Sequence, residues 1–303
     1  MNAPVTPARS DRTGNYGDKF GLIRIHILGS AAGGGLPQWN CACGNCIAAR
    51  AGKIDPQTQS SIAISVDAEE FQNRWLINAS PDLPRQIEST ARLQPRRNAS
   101  RNTPIAGVLL TNADIDHALG LLLLRQQEKP LVVYATDETR AALAWLDRTL
   151  ARFCGIEWRK VSSDFRPLNS SIGFRAIELA HSVAFQFSDE SSGRFALVAP
   201  AVGELTRELS EASVRSDLIL FDGTFWSDNE LEAARPGARS AREMNHLPIL
   251  NGSLEFLRQS PARRKIYTHI NNTNPILMPG SPERAQLEQA GIEVARDRLE
   301  VVL

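Results

Sequence analysis

Three cysteines within six residues, Cys41-Ala-Cys43-Gly-Asn-Cys46, are the sharpest chemical signal in the chain. Thiolates this close suit tetrahedral zinc at ~2.3 Å, and Gly44 eases the tight turn. Such spacing is too short for an ordinary disulfide framework and points to a reducing compartment. A structural zinc needs a fourth ligand, which the cysteines alone leave open. A second pattern is scattered: Asp116 and His117 follow the apolar run 105–110, Asp222 ends the run 218–221, and His269 ends the run 265–268. Any one of these is more often a cap or an ion-pair partner. Four of them at strand ends point to one rim where a cleft forms. Two imidazoles and carboxylates with open positions suit octahedral Fe(II); Mn(II) fits nearly as well, and zinc prefers four-coordination. Asp114 adds a further carboxylate, and His246, in Arg242-Glu-Met-Asn-His246, suits acid–base work or substrate orientation. His26 lies within the first strand and is expected to be structural.

The elements needed to position these residues can be read from periodicity. Strands are predicted over 22–28, 61–66, 75–78, 105–110, 131–134, 174–179, 195–198, 218–221 and 265–268, with strand character again over 293–303. Helices are predicted from Pro81-Asp82, over 118–127, over 137–153 with Asp137 as cap, over 204–212, 254–259 and 282–290. The turn Gly29–Gly35 reads as close-packed backbone rather than a phosphate cradle, because no helix begins directly after it. Hairpins and crossovers both occur, which predicts an αββα sandwich of two mixed sheets with helices outside. Residues 1–20, polar and rich in turn formers, are expected to be a disordered tail before one domain, 21–303.

Composition narrows the function classes. Hydrophobic residues make up 42% of the 303, enough for a sizeable core, and the formal net charge is zero. A nucleic-acid partner would favour a basic face, so none is expected. No apolar run approaches the ~18–20 residues of a membrane span. The opening residues lack a secretory signal's apolar stretch, so the expected location is cytoplasmic.

Thr111-Asn-Ala-Asp-Ile-Asp-His117 resembles the His-x-His-x-Asp-His motif of the metallo-β-lactamase superfamily, with Asn112 and Asp114 where the first two histidines belong. One of the two usual metal positions is therefore expected to be lost. Longer blocks resemble the PqqB family of that superfamily: Gly29 to Cys46, Thr58 to Ser65, Asn78 to Asp82, Asp222-Gly-Thr-Phe-Trp226, Arg242 to Pro248, His269 to Leu277, and Ser281 to Arg284. The resemblance implies a metallo-β-lactamase fold and a role in pyrroloquinoline quinone (PQQ) biosynthesis. It implies iron- and O2-dependent hydroxylation of a PQQ precursor derived from a Glu/Tyr peptide. Carriage of PQQ or its precursor towards the periplasm is one alternative, and metal-dependent hydrolysis of phosphodiester type is another. A homodimer is left open. His181 is expected at the superfamily's middle histidine position. In related phosphodiesterases a histidine completes the cysteine site; Asn272 stands at that place here. The chain also departs from the PqqB pattern, with Asp114 where Gln is usual and Asn245 where Gly is usual, and 137–200 is divergent.

Overall fold

The computed structural model describes residues 23–66, 74–97, 100–190 and 192–303, so the expected tail over 1–20 lies outside the described residues. Fourteen strands are described. They are β1 (Ile23–Gly29), β2 (Ser61–Val66), β3 (Arg74–Ile77), β4 (Ile105–Leu109), β5 (Leu131–Ala135), β6 (Ile156–Lys160) and β7 (Arg166–Pro167). The chain continues with β8 (Ile172–Glu178), β9 (Val183–Asp189), β10 (Phe195–Ala199), β11 (Leu218–Asp222), β12 (Arg264–Thr268), β13 (Glu293–Val294) and β14 (Leu299–Val302). They form two seven-stranded sheets, ordered β14-β1-β2-β3-β4-β5-β6 and β13-β12-β11-β10-β9-β8-β7. Each is mixed: β3 to β6 run parallel in the first sheet and β10 to β13 in the second, with antiparallel hairpins completing both.

Strict alternation explains how the sheets face each other. Ile23, Ile25 and Ile27 of β1 point into the space between the sheets, where they meet Val183, Phe185 and Phe187 of β9. Phe174, Phe185 and Phe187 form an aromatic group there with ring centroids 6.3–6.5 Å apart. Burying each ring contributes roughly 2–3 kcal/mol. The opposite faces are also apolar and are covered by helices. Val108, Leu110 and Val133 pack under Leu83, Leu121 and Leu146 on one side, and Leu197, Ile219 and Phe221 under Leu209, Leu257 and Leu287 on the other. The result is the αββα sandwich expected from the sequence.

Local structure differs from the expected helices in two places that bear on the rim. The segment expected as one helix over 118–127 is two short turns, α1 (Ile115–Ala118) and α2 (Gly120–Leu123). A Cβ at Gly120 would stand 2.3 Å from the Ser80 carbonyl oxygen, so this turn sits directly on the backbone after β3. The segment 137–153 is likewise broken, into Asp137–Ala142 and Ala144–Leu150, and its cap is Thr136, whose hydroxyl accepts from Thr139 N at 3.1 Å, rather than Asp137. The Gly29 turn is close-packed as expected: a Cβ there would meet the Gln59 carbonyl at 2.1 Å. Among the described residues no helix is long and apolar enough to cross a membrane.

Candidate metal centre

The rim is assembled by strands that end together. Parallel pairing sets Asp222 of β11 beside Thr268 of β12, so His269, the next residue, emerges beside Asp222. His269 adopts φ +55, a left-handed conformation uncommon outside glycine. Across the sandwich, β4 runs into Thr111, and α1 turns Asp116 and His117 back toward the rim. Val183 N donates to Thr111 O at 2.7 Å and Ala32 N to Ile270 O at 2.9 Å, tying the two sheets at this end.

Asp116, His117 and His269 form one group of donor atoms, and Asp222, His246 and His269 form another, each within 4.8 Å. Asp222 was expected in one set with Asp116, His117 and His269, with His246 apart as an acid–base. Asp222 does share a donor group with His269, and it is also bonded to His246, Oδ2 to Nδ1 at 2.6 Å; His269 is common to both groups. Asp222 is fully buried, and its carboxylate also accepts from Val202 N at 2.8 Å, Thr224 N at 2.9 Å and Thr224 Oγ1 at 2.6 Å. The Thr224 hydroxyl lies 2.7 Å from His269 Nδ1, so one side chain supports both groups. Sequence reasoning passed over Thr224, although it stands in the Asp222-Gly-Thr224 block.

His117 is buried, with Nδ1 held by Asn112 Oδ1 at 2.6 Å and Thr111 Oγ1 at 3.1 Å. Its Nε2 has no hydrogen-bond partner, and a buried orphan of this kind is what a metal ligand looks like without its ion. Burial holds the His117 imidazole below its ordinary range, against the opposing pull of Asp116. Burial alone would raise the Asp116 carboxyl, but His117 and His269 outweigh it and hold it well below the usual carboxylate range. For His246 burial is outweighed by Asp222, which raises the imidazole.

These groups lie beside a cavity of about 730 Å³, lined in part by Asp114, Asp116, His181, Arg239, His246 and His269. Asp114 is exposed and bonded to Asn112 Nδ2 at 2.6 Å. His181 is exposed at the turn between β8 and β9 and belongs to neither donor group, so the structure does not bring it to the middle histidine position expected for it. His26 is half-buried on β1, away from this cavity, with both ring nitrogens unpartnered.

The cysteine knuckle stands beside the loop that follows His269. Cys41, Cys43 and Cys46 group together, and Asn272 Nδ2 lies 3.1, 3.5 and 3.3 Å from their sulfurs. The Asn272 amide thus caps the cysteine group as a hydrogen-bond donor to all three sulfurs. Burial pushes the Cys46 thiol up to about 11, while hydrogen bonds outweigh burial at Cys41 and bring it below normal. Asn45 Nδ2 donates to Asn272 O at 3.0 Å and Asn274 O at 2.8 Å, pinning the two loops independently of the sulfurs.

A β-lactamase superfamily domain matches residues 73–270. Coenzyme PQQ synthesis protein B of Cupriavidus taiwanensis is 42% identical over 93% of this chain and 100% of its own. The zinc-bound PqqB structure from Methylobacterium extorquens superposes with a TM-score of 0.82 at 34% identity, covering 92% of this chain and 100% of that one. A diphosphatase of the PhnP family superposes with a TM-score of 0.68 at 18% identity, covering 92% and 97%, a likeness of fold alone.

Proposed function

Because the chain belongs to the coenzyme PQQ synthesis protein B family, within the β-lactamase superfamily, and so to PQQ biosynthesis, we propose that its rim performs iron- and O2-dependent hydroxylation of a tyrosine-derived PQQ precursor. The observation that carries this reading is the meeting of acceptors at the rim. His269 Nε2 lies 3.2 Å from Asp116 Oδ2, and His117 Nε2 lies 3.6 Å from the same oxygen. His117 and His269 both turn Nδ1 to partners behind the rim, so three lone-pair-bearing atoms converge where a single cation satisfies them all. His269 is shared between the two donor groups, which supports one ion rather than two. Asn112 and Asp114, bonded to each other, hold the places of the histidines that would bind a second. A single ion with nitrogen and oxygen donors and open positions suits Fe(II), whereas two-metal hydrolysis needs a pair. Bound there, iron supplies the redox chemistry that O2 activation requires.

The chain's own residues do the rest. Asp222 fixes His246 by the 2.6 Å bond and Phe225 packs edge-on against its ring at 5.9 Å, leaving the other ring nitrogen to hold or move a proton at the substrate. Arg239 places a cation in the cavity lining for the precursor's carboxylates, whereas the Lys160 ammonium there is already paired with Asp137. Cys41, Cys43 and Cys46 would hold a structural zinc that clamps the 38–50 segment to the loop after β12, with the Asn272 amide donating to their sulfurs.

The test is metal quantification on protein purified without oxygen, with O2 uptake measured on the precursor. Wild type should carry one rim iron and one zinc. His269→Ala should lose the iron and keep the zinc, and Cys43→Ala should lose the zinc. Two rim zincs with turnover of a chromogenic phosphodiester would overturn the proposal in favour of hydrolysis, and an absence of rim metal would favour a carrier.

A further inference from the structure

Asn112 looks at first like a vacant ligand position, a poor donor where the superfamily motif has its first histidine. Its hydrogen bonds give it another part. The amide nitrogen can only donate, and it lies 2.6 Å from Asp114 Oδ2, which accepts. That fixes which way the amide points, and its oxygen then faces His117 Nδ1 at 2.6 Å. The second neighbour of that nitrogen is the Thr111 hydroxyl, at 3.1 Å. Thr111 has one proton to give, and Asn78 Oδ1 takes it at 3.1 Å. Asn78 Oδ1 is itself fixed as an acceptor by Thr111 N at 3.0 Å. His117 Nδ1 therefore meets two acceptors and must carry the ring proton. The other ring nitrogen is left as a lone pair, and it is the buried Nε2 that has no partner.

We propose that Asn112 is a positioning residue: oriented by Asp114, its amide oxygen locks His117 in the Nδ1–H tautomer and aims the Nε2 lone pair at the rim before any metal arrives. The position that lost a ligand has become the outer support of a ligand that remains. Support of this kind sets ring orientation and basicity, and its loss typically lowers metal affinity about 10–100-fold. Asp114 belongs to the same device, because an acceptor-only carboxylate allows the Asn112 amide a single orientation. The inference deepens the metal-centre reading above, yet the tautomer itself does not depend on that reading.

The experiment is a long-range 1H–15N correlation on full-length protein freed of rim metal but keeping its knuckle zinc, 15N-labelled at its five histidines and held near pH 8, with His117 assigned by His117→Gln. Wild type should show His117 as a single Nδ1–H tautomer. Asn112→Ala should shift it toward Nε2–H and weaken cobalt(II) binding about 10–100-fold. The double exchange Asn112→Asp with Asp114→Asn keeps an acceptor facing His117 and a donor behind it, so it should restore both. An Nε2–H signal in the wild type would overturn the proposal, as would an unchanged tautomer in Asn112→Ala. The wild-type spectrum decides even where the alanine variant fails to fold. An Nδ1–H signal together with no cobalt binding by wild type would sink the metal centre and leave the positioning role standing.

Discussion

Glu230 offers a prediction whose size can be worked out from its surroundings. Its carboxylate lies beneath the loop that follows His269, where Oε2 accepts from Trp226 N at 2.6 Å and Oε1 accepts from the Thr273 hydroxyl. Thr273 is the neighbour of Asn272 at the cysteine knuckle, so Glu230 braces that loop from below. Burial pushes the carboxyl from 4.5 up to about 7, against hydrogen bonds that favour the ionised form. With the folded value above the unfolded one, the folded state holds an extra proton between pH 4.5 and about 7. Its contribution to stability is therefore fully present below 4.5 and is lost as pH rises through 7. At 1.36 kcal/mol per pH unit the loss approaches about 3 kcal/mol, an upper bound because the side chain is partly exposed. Glu230→Gln removes the titration and keeps the shape. Denaturant unfolding of metal-loaded protein should give similar stability for both forms at pH 5 and a variant more stable than wild type by about 1–3 kcal/mol at pH 8. Parallel pH profiles for the two proteins would refute the argument, because the metal sites contribute their own pH dependence to both and cancel in the difference.

Two further outcomes follow from geometry. Gly120→Ala would set a Cβ 2.3 Å from Ser80 O and 2.6 Å from Ala79 O, backbone atoms that cannot rotate away, so unfolding measurements should show a loss of about 3 kcal/mol and rim-metal affinity should fall as α1 shifts. Asp297 accepts from Ser30 N and Oγ at 3.0 and 2.8 Å and from Thr58 N and Oγ1 at 2.8 and 2.7 Å. Asp297→Asn turns an amide NH2 toward donors and should cost about 2–4 kcal/mol in the same assay, with a neutral result ruling out the cross-link as a stabilising contact.

The sheets were legible where one face was apolar and alternated. The runs 105–110, 131–134 and 218–221 read as strands and are β4, β5 and β11. Three strands escaped: the two-residue edge strand Arg166–Pro167, too short to show a period, and two longer ones for different reasons. Ile156-Glu-Trp-Arg-Lys160 is an edge strand, mostly exposed, and its polarity hid it. Val183-Ala-Phe-Gln-Phe187 alternates plainly, but it follows β8 through so short a turn that the pair read as a single strand and a loop. The helix over 118–127 broke because Gly120 is pressed onto the Ala79–Ser80 backbone, a tertiary constraint that no periodicity over ten residues records.

Legibility of the rim stopped at a definite chemical boundary. Residue types that bind metals announce themselves, so Asp116, His117, Asp222, His269 and the three cysteines could be singled out from spacing and strand ends. What spacing does not carry is which atom of each residue is already engaged. Asp222 stands in a candidate donor group with His246 and His269, yet its oxygens also accept four hydrogen bonds, one of them from His246, which spacing could not show. Thr224 and Asn112 looked inert because neither is a ligand type, yet each stands 2.6–2.7 Å behind an imidazole and decides which nitrogen faces the cavity. A carboxylate with filled oxygens orients its neighbour, and an imidazole whose Nδ1 is bonded offers Nε2. The donor set at this rim is therefore chosen as much by the hydroxyls and amides behind it as by the histidines and aspartates in it, and exchanging those neutral residues should alter metal affinity while leaving every formal ligand in place.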